Sequence, residues 1–200
     1  MKRFFLGILL LTASTTGSAA VITSMVGDMD GFGLGITNGS SFEWSDVGSG
    51  DGDGTDYWRH GDTSVIHSYD LTGLGNILSA SLEIFTGGQG YYGLSRLYFD
   101  SQFVGNLTDG DTWDTAINEV DGQNIARLDI FDLTPYVSLL DGSNSVRIDV
   151  ASPYDGWVLD YSRLVIETDD VISVPEPGTL TLLLMGLAGL GLSRKLKPAT

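Results

Sequence analysis

The sequence contains no cysteine among its 200 residues. A disulfide framework, a thiolate zinc site and a cysteine nucleophile are therefore excluded. Histidine is nearly as scarce, because His60 and His67 are the only two, and no Gly-x-Ser-x-Gly motif accompanies them. Without a nucleophile motif or a third metal ligand beside these imidazoles, the sequence predicts a protein that is not an enzyme.

Basic residues are the second shortage. Ten Lys and Arg stand against 26 Asp and Glu, so the formal net charge is −16. The shortage is sharpest over residues 21–174, which hold 25 of the acids, five arginines and no lysine, a net charge of −20. A nucleic-acid-binding protein needs a basic face to neutralise phosphates, so nucleic acid is excluded as a partner. With 42% hydrophobic residues the chain is nevertheless apolar enough to fold.

The first twenty residues have the pattern of a secretory signal peptide. A positive start at Lys2–Arg3 precedes the apolar run Phe4–Leu11, and the small residues Ser18–Ala20 follow. The apolar run is far shorter than the ~20 residues that span a bilayer. The sequence therefore predicts a signal helix over residues 1–20, cleaved by signal peptidase after Ala20 or alternatively after Ala19, and export of the remaining chain.

A second hydrophobic segment lies near the other terminus. Pro175, Glu176 and Pro177 interrupt any strand or helix, because each proline lacks an N–H and restrains the residue before it. An apolar run over residues 178–193 follows, and residues 194–197 are mostly basic. As a helix rising 1.5 Å per residue, this run is shorter than the ~30 Å hydrocarbon core, a deficit that snorkelling basic side chains offset. The basic end predicts that the tail stays cytoplasmic and the body lies outside.

This order of motif, apolar run and basic end, over residues 173–200, resembles the PEP-CTERM protein-sorting tail, also named the ice-binding protein C-terminal domain. The resemblance implies a Gram-negative bacterium that makes exopolysaccharide. It also implies that exosortase, a transpeptidase-like membrane protease, recognises Pro175, Glu176 and Pro177. The tail would then anchor the exported protein in the inner membrane at least transiently, before delivery to the cell surface or extracellular space. A simple permanent anchor is the alternative.

The body, residues 21–172, has the pattern of an all-β domain. Apolar and polar residues alternate with period two in three segments, which predicts half-buried strands at 78–84, 126–130 and 146–150. Further strands are predicted at 41–47, 64–71, 94–99, 102–107 and 157–167, and one helical segment at 135–140. Asp-Gly and Gly-Gly pairs separate the strands. The predicted fold is a jelly-roll β-sandwich, with the N-terminal signal helix and a C-terminal hydrophobic helix outside it.

The second half of the body resembles galactose-binding-like jelly rolls. Phe131–Pro135 and Leu139–Ile148 look like the "DLT…L…G-x-N-x-V" passage of those domains, and Gly156–Ile166 resembles their closing strand. The resemblance implies binding of sugars or other cell-surface ligands, although a fold by itself does not define a function.

Carboxylates on glycine-bearing loops suggest a metal site. Asp28 and Asp30 are two residues apart, and the run 51–56 repeats that spacing. Calcium takes six to eight oxygen ligands, which such loops supply from side chains and carbonyls, although neither run fits an EF-hand. In carbohydrate-binding modules of the resembled fold, a structural Ca²⁺ joins the N-terminal region to an Asp on the last strand. The resemblance thus implies Asp28, Asp30 and Asp160 as ligands, with ordinary solvated Asp-Gly turns as the alternative.

Three loop aromatics are predicted to bind a ligand. Tyr91 and Tyr92 follow the glycine-rich segment 87–90, and Trp113 lies among aspartates. An aromatic ring beside carboxylates suits the recognition of polyols. The sequence therefore predicts an exported surface or matrix protein whose body is non-enzymatic and adhesive or glycan-associated, with exopolysaccharide as partner. A secreted carboxylate-dependent hydrolase and a purely structural surface protein are the alternatives.

Overall fold

The computed structural model describes residues 19–48, 50, 54–110 and 123–169. The predicted signal helix therefore lies outside the described residues almost entirely, and so do Trp113 and the whole sorting tail with Pro175, Glu176, Pro177 and the hydrophobic segment 178–193. Within the described ranges, no helix is long and apolar enough to cross a membrane.

Nearly all of the regular secondary structure in the described chain consists of β-strands. They are β1 (Ala20–Gly27), β2 (Ser41–Glu43), β3 (Arg59–His60), β4 (Thr63–Ser68), β5 (Ile77–Gly87), β6 (Arg96–Phe99), β7 (Gln102–Asn106), β8 (Gln123–Asp132), β9 (Ser143–Asp149) and β10 (Gly156–Thr168). A short 3₁₀-helix at Thr134–Leu139 joins β8 to β9, one residue earlier than the predicted helical segment.

The strands form two antiparallel sheets in jelly-roll order. One sheet has the order β1-β10-β5-β8-β2 with β3 added on β10, and the other has the order β4-β9-β6-β7. The chain crosses between sheets from β3 to β4, from β4 to β5, from β5 to β6 and from β7 to β8, then again on each side of β9, so that most neighbours in a sheet are not consecutive in sequence. This interleaving is the double Greek key of a jelly roll, and the predicted β-sandwich is confirmed.

The main core lies between the two sheets. Alternate residues of the central strands point into it, and eight of them are at most 2% exposed: Leu82, Ile84, Leu97, Phe99, Val146, Ile148, Leu164 and Ile166. Each fully buried aliphatic or aromatic side chain contributes about 1.5–3 kcal/mol to folding. Period-two patterning therefore fixes which face of each strand is buried, as the sequence predicted.

A second apolar cluster lies on the opposite face of the six-stranded sheet. Phe85 of β5 and Val158 and Tyr161 of β10 face this side, the last two on either side of an irregularity in β10. They pack against Phe42 of β2 and against Phe32 from the segment between β1 and β2. The rings of Phe32 and Phe85 stack with centroids 5.2 Å apart and planes 5° apart. This packing holds the connection between β1 and β2 against the sheet, beside β10.

All eight predicted strands are present, with different bounds, and two strands were not predicted. The strand expected over 41–47 ends at Glu43, because a turn follows in which the Asp46 carboxylate accepts from the Glu43 N–H at 2.8 Å. Strand β1 escaped prediction because its inward side includes Ser24, while Val21 and Met25 are solvent-exposed. Strand β3 has only two residues and gives no periodic signal.

Candidate metal centre

The three predicted ligands converge, and a fourth carboxylate joins them. Asp28, Asp30, Asp56 and Asp160 each offer one oxygen, and these oxygens all lie within 4.8 Å of one another. The pairing of β1 with β10 explains the convergence. Gly27 lies opposite Tyr161, so the chain leaves β1 directly beside Asp160 and places Asp28 and Asp30 next to it. Asp56 arrives from the connection between β2 and β3.

A β-bulge turns Asp160 toward the cluster. In the pairing of β10 with β5, Leu159 lies opposite Thr86 and Tyr161 lies opposite Phe85, so Asp160 is the extra residue. Bulges re-aim a side chain that regular alternation would point elsewhere, and they recur beside functional sites. The bulge thus presents the carboxylate of a central strand to the loop that follows β1.

The backbone around the cluster is held in unusual conformations. The Phe32 N–H donates to Oδ1 of Asp160 at 2.8 Å, and the Gly33 N–H donates to Oδ1 of Asp30 at 2.6 Å. Phe32 and Asp56 both have positive φ angles, 61° and 59°. A non-glycine residue in this region costs of order 1–3 kcal/mol and persists where the surrounding structure enforces it, often at functional sites. The Asp56 N–H is anchored by a hydrogen bond to the Leu159 carbonyl at 2.9 Å.

The cluster concentrates negative charge in a buried place. Asp160 and Asp56 are only 1% and 3% exposed. The pKa of Asp160 is raised to about 6, chiefly by burial; the Phe32 N–H lowers it, and the nearby carboxylates of Asp30 and Asp28 contribute to the rise. Crowded carboxylates disfavour one another's ionised form, and a bound cation reverses that preference.

The geometry and chemistry of the donors fit a calcium ion. Calcium–oxygen distances are about 2.3–2.6 Å, so ligand oxygens on opposite sides of one ion are up to about 5 Å apart. The 4.8 Å spread of the four carboxylate oxygens lies within that limit. The donors are all hard oxygens, which suit Ca²⁺ rather than a thiolate- or imidazole-preferring metal. Four carboxylates supply part of a six- to eight-oxygen shell, and carbonyls or waters would supply the rest.

Asp56 is the member of the cluster that sequence reasoning did not assign as a ligand. It ends the Asp-Gly run 51–56, whose two-residue spacing was the one available signal, and Asp51 and Asp53 lie outside the described residues. The sequence does not show which aspartate of such a run faces the core. The burial of Thr55 and Asp56 decides this, because their segment packs beside β10.

The two predicted aromatic residues that the structure describes are not members of the carboxylate cluster. Tyr91 and Tyr92 are in the loop between β5 and β6, where they are 37% and 53% exposed. Their ring centroids are 4.5 Å apart, and the ring planes are nearly perpendicular. Trp113 lies outside the described residues, so its part in ligand binding stays a prediction.

The two histidines occupy different environments. His60 is exposed on β3. His67 is fully buried between the sheets, where its Nδ1 lies 3.2 Å from Ser24 Oγ and its Nε2 lies 2.8 Å from Ser162 Oγ. Burial lowers the pKa of His67 to about 4. Its position between two serines ties β4 to β1 and β10.

Comparison with known proteins identifies the tail. The PEP-CTERM protein-sorting motif is found at residues 173–195. This tail indicates an exported protein that is sorted by exosortase, a membrane protein, and anchored transiently at the membrane. None of the curated proteins matches the chain.

Solved structures share distant likeness with the body. A BuGH86 variant in complex with neoagarooctaose is 10% identical with a TM-score of 0.39, over 76% of this chain and 19% of that one. Dimeric latent PorU from Porphyromonas gingivalis is 10% identical with a TM-score of 0.40, over 84% of this chain and 14% of that one. A cleaved adhesin domain of Lys-gingipain from the same organism is 15% identical with a TM-score of 0.26, over 78% of this chain and all of that one. The chain therefore spans less than a fifth of the first two proteins.

Proposed function

We propose that this exported protein is a non-enzymatic component of the cell surface or extracellular matrix, with a calcium-stabilised β-sandwich that associates with glycan. The observation that carries the proposal is the convergence of Asp28, Asp30, Asp56 and Asp160 within 4.8 Å. Their oxygens come from three segments that are far apart in sequence. An ion among them would cross-link the end of β1, the connection before β3, and β10.

Calcium would also reduce the electrostatic repulsion among the carboxylates of this fold. Between residues 21 and 174 the net charge is −20, and the cluster places four acids beside the second apolar core. A divalent cation replaces mutual repulsion by attraction at the point where the segment between β1 and β2 meets the sheet. The ion is thus a structural ion in this proposal: it neutralises the carboxylates and cross-links their segments by coordination.

The arrangement of ionisable groups favours binding over catalysis. Glycoside hydrolysis needs two carboxyl groups about 5–9.5 Å apart on either side of an accessible bond. Within the cluster the four oxygens are closer than 4.8 Å, and Asp56 and Asp160 are buried. The imidazole of His67 is engaged by serines inside the core. We therefore keep the non-enzymatic function as the proposal.

Association with an acidic exopolysaccharide would require a cation between the two partners. A body of charge −20 repels a polyanion at close range unless divalent ions bridge their carboxylates. We expect retention of the purified protein on an acidic polysaccharide to rise with added Ca²⁺ and to fall on chelation. Equal retention in excess chelator would contradict the calcium-dependent association. A neutral dextran matrix is the control for trapping in the gel.

A further inference from the structure

The outer face of the four-stranded sheet carries an ordered set of polar and aromatic side chains. On β6, Arg96 and Tyr98 point away from the core, and they alternate with Leu97 and Phe99, which are fully buried. In the register, Arg96 lies opposite Asn106 of β7 and Asp149 of β9. Tyr98 lies opposite Phe103 and Arg147 in the next row. We call this surface, from β9 across β6 to β7, the β6 face.

Arg96 differs from the other arginines of the body. Four of the five are engaged, namely Arg59 with the Gly54 carbonyl, Arg127 with the Asp109 carbonyl, Arg147 with Asp149 and Arg163 with Glu83. Arg96 is exposed and makes no hydrogen bond or ion pair with any residue in the described ranges. An uncommitted guanidinium is unexpected in a segment with 25 acids and five bases.

The contacts of its neighbours explain why Arg96 has no ion-pair partner in the described ranges. Its cross-strand neighbour Asp149 is paired with Arg147, two residues along β9. The Arg147 guanidinium also lies over the Tyr98 ring, 4.3 Å from its centroid. Arg147 thus joins Asp149, in the row of Arg96, to Tyr98 in the next row. The donors of Arg96 are thereby left facing the surface.

Two surface cavities share Arg96. One of about 320 Å³ is lined by Arg96, Tyr98, Phe103 and Asn106. The other, of about 370 Å³, is lined by Asp62, Leu94, Arg96, Asp149, Val150 and Ala151. Both fall within the usual size range of small-ligand sites, about 300–1,000 Å³. Arg96 is the lining residue that they share, so a glycan that occupies either cavity contacts it.

An aromatic ring stands beside this guanidinium. Phe103 is 50% exposed and meets Tyr98 edge to face, with centroids 5.7 Å apart. The face of an aromatic ring carries partial negative charge, which attracts the C–H face of a pyranose. Residues two apart on one strand face are about 7 Å apart, so the row of Arg96 and the row of Phe103 are separated by about one sugar ring.

We infer that the β6 face binds a uronic-acid-containing glycan, with a pyranose ring against Phe103 and its carboxylate at Arg96. The planar guanidinium binds a carboxylate through two parallel hydrogen bonds, and Asn106 in the same row offers an amide to the ring hydroxyls.

Two carboxylates line the cavity beside Arg96: Asp149 is paired with Arg147, and Asp62 accepts from the Val150 N–H. Ca²⁺ offsets the repulsion between the acidic body and the glycan, and Arg96 is the cation that meets the glycan carboxylate directly. This inference rests on the proposed glycan association and adds the site and the ligand class.

The test is a binding titration of the full chain in mild detergent with saturating Ca²⁺. The probe is an oligogalacturonate, and its matched neutral form is the same oligomer with each carboxylate reduced to an alcohol. We expect the acidic oligomer to bind roughly tenfold more tightly than the reduced one, the effect of one charge-assisted contact. Arg96→Gln and Phe103→Ala should each weaken binding of the acidic oligomer about tenfold or more, and Arg96→Lys should weaken it less.

A matched control comes from the other sheet. Ile130 is 63% exposed on a central strand of the six-stranded sheet, so Ile130→Ala removes an exposed apolar side chain elsewhere and should leave the affinity unchanged. Thermal melts of each variant report whether the fold is kept. Arg96 is exposed and makes no hydrogen bond or ion pair within the described residues, so Arg96→Gln remains informative even if Phe103→Ala unfolds.

The outcomes separate this inference from the broader proposal. If the acidic oligomer binds but Arg96→Gln and Phe103→Ala bind it as tightly as the parent protein, the β6 face is the wrong site. If the reduced oligomer binds as tightly as the acidic one, the ligand class is wrong. In both cases glycan association stands. If the parent protein binds neither oligomer and is not retained on acidic polysaccharide with Ca²⁺, glycan association itself fails.

Discussion

The backbone N–H of Phe32 donates to Oδ1 of Asp160 at 2.8 Å, across 128 positions of sequence. Phe32 also stacks on Phe85, so one residue both covers the outer apolar cluster and fixes the orientation of a buried carboxylate. The loop that follows β1 is thus bound to β10 by packing and by a charge-assisted hydrogen bond. The proposed calcium site stands on this link, and the first three predictions test it.

Calcium should raise the melting temperature of the protein. An ion that binds only the folded chain at a hundredfold excess over Kd stabilises it by about 2.7 kcal/mol. For a body of this size that is roughly 5–11 °C. Asp160→Asn should abolish most of the shift. Asp141→Asn should leave it intact, because the Asp141 carboxylate only accepts from the Ser143 N–H in an exposed turn. Thermal melts with Ca²⁺ and with chelator measure both shifts. If the melting temperature of the parent protein does not change with Ca²⁺, these aspartates belong to ordinary turns and bind no calcium.

Calcium affinity should fall in acid because the ion competes with a proton on Asp160. The pKa of this carboxyl is raised to about 6, chiefly by burial, so its proton binds more tightly in the folded than in the unfolded chain. The calcium-free protein therefore loses stability as pH rises from about 4 to about 6, while stabilisation by calcium grows over the same window. A calcium titration should give an affinity roughly tenfold lower at pH 5 than at pH 7. An affinity that does not change with pH would place the ion elsewhere.

Gly27 should be far less tolerant of substitution than Gly39. Both have φ of +83°, so Ala carries the same backbone strain at either position, about 1–2 kcal/mol. At Gly27 an added Cβ would lie 2.1 Å from the Asp160 carbonyl oxygen, whereas at Gly39 nothing lies within 4 Å. We expect Gly27→Ala to lower the free energy of unfolding clearly more than Gly39→Ala, and to reduce the calcium-induced shift. Denaturant unfolding measures both free energies of unfolding. Equal losses would show that β1 and β10 shift apart at Gly27 without loss of stability.

His67 should make the sandwich acid-sensitive. Burial lowers its pKa to about 4, below its ordinary value of 6.5, so the folded chain resists protonation. Its contribution to stability is complete above pH 6.5 and is lost as pH falls toward 4, on the order of 3 kcal/mol across that window. His67→Gln should flatten this part of the stability profile, although it also lowers stability overall. His60→Gln, at an exposed position, is the matched control, and a profile that His67→Gln leaves unchanged would contradict the assignment.

The Pro-Glu-Pro motif should control processing and leave export unaffected. Replacing Pro175, Glu176 and Pro177 by alanine leaves the predicted signal peptide untouched, so the protein should still leave the cytoplasm. Its tail should remain attached and the protein should stay in the membrane fraction. Fractionation and mass measurement of the mature chain decide between the outcomes. Release and trimming like the parent protein would contradict recognition through this motif.

Local signals in the sequence predicted the strands well, and their limits explain the misses. Period-two alternation at Leu82 and Ile84 or at Val146 and Ile148 marks a buried face directly, and those strands are where it placed them. Strand β1 carries Ser24 on its inner side, so its pattern lacks that signal. The half-buried serine faces inward for a tertiary reason, because it meets His67 from the opposite sheet. No window of local sequence contains that contact.

The candidate site divides in the same way. Asp28 and Asp30 were marked by their spacing on a glycine loop, and Asp160 by a family resemblance, since nothing in its own segment distinguishes it from a solvated acid. Asp56 and the β6 face were not found from the sequence. Burial of Asp56 depends on packing beside β10. Arg96 is left without an ion pair because Asp149, which lies opposite it, pairs with Arg147 of its own strand.

By itself the sequence determined the sorting tail and the all-β class, because both depend on patterns within one short segment: a motif with an apolar run and basic end, and alternation with turns. Only the tertiary structure decided which carboxylates meet. Sheet pairing brings Gly27 opposite Tyr161, and a bulge turns Asp160 out of the alternation. These choices follow from the free energy of packing the whole sandwich, in which residues more than a hundred positions apart become neighbours, and no local pattern encodes them.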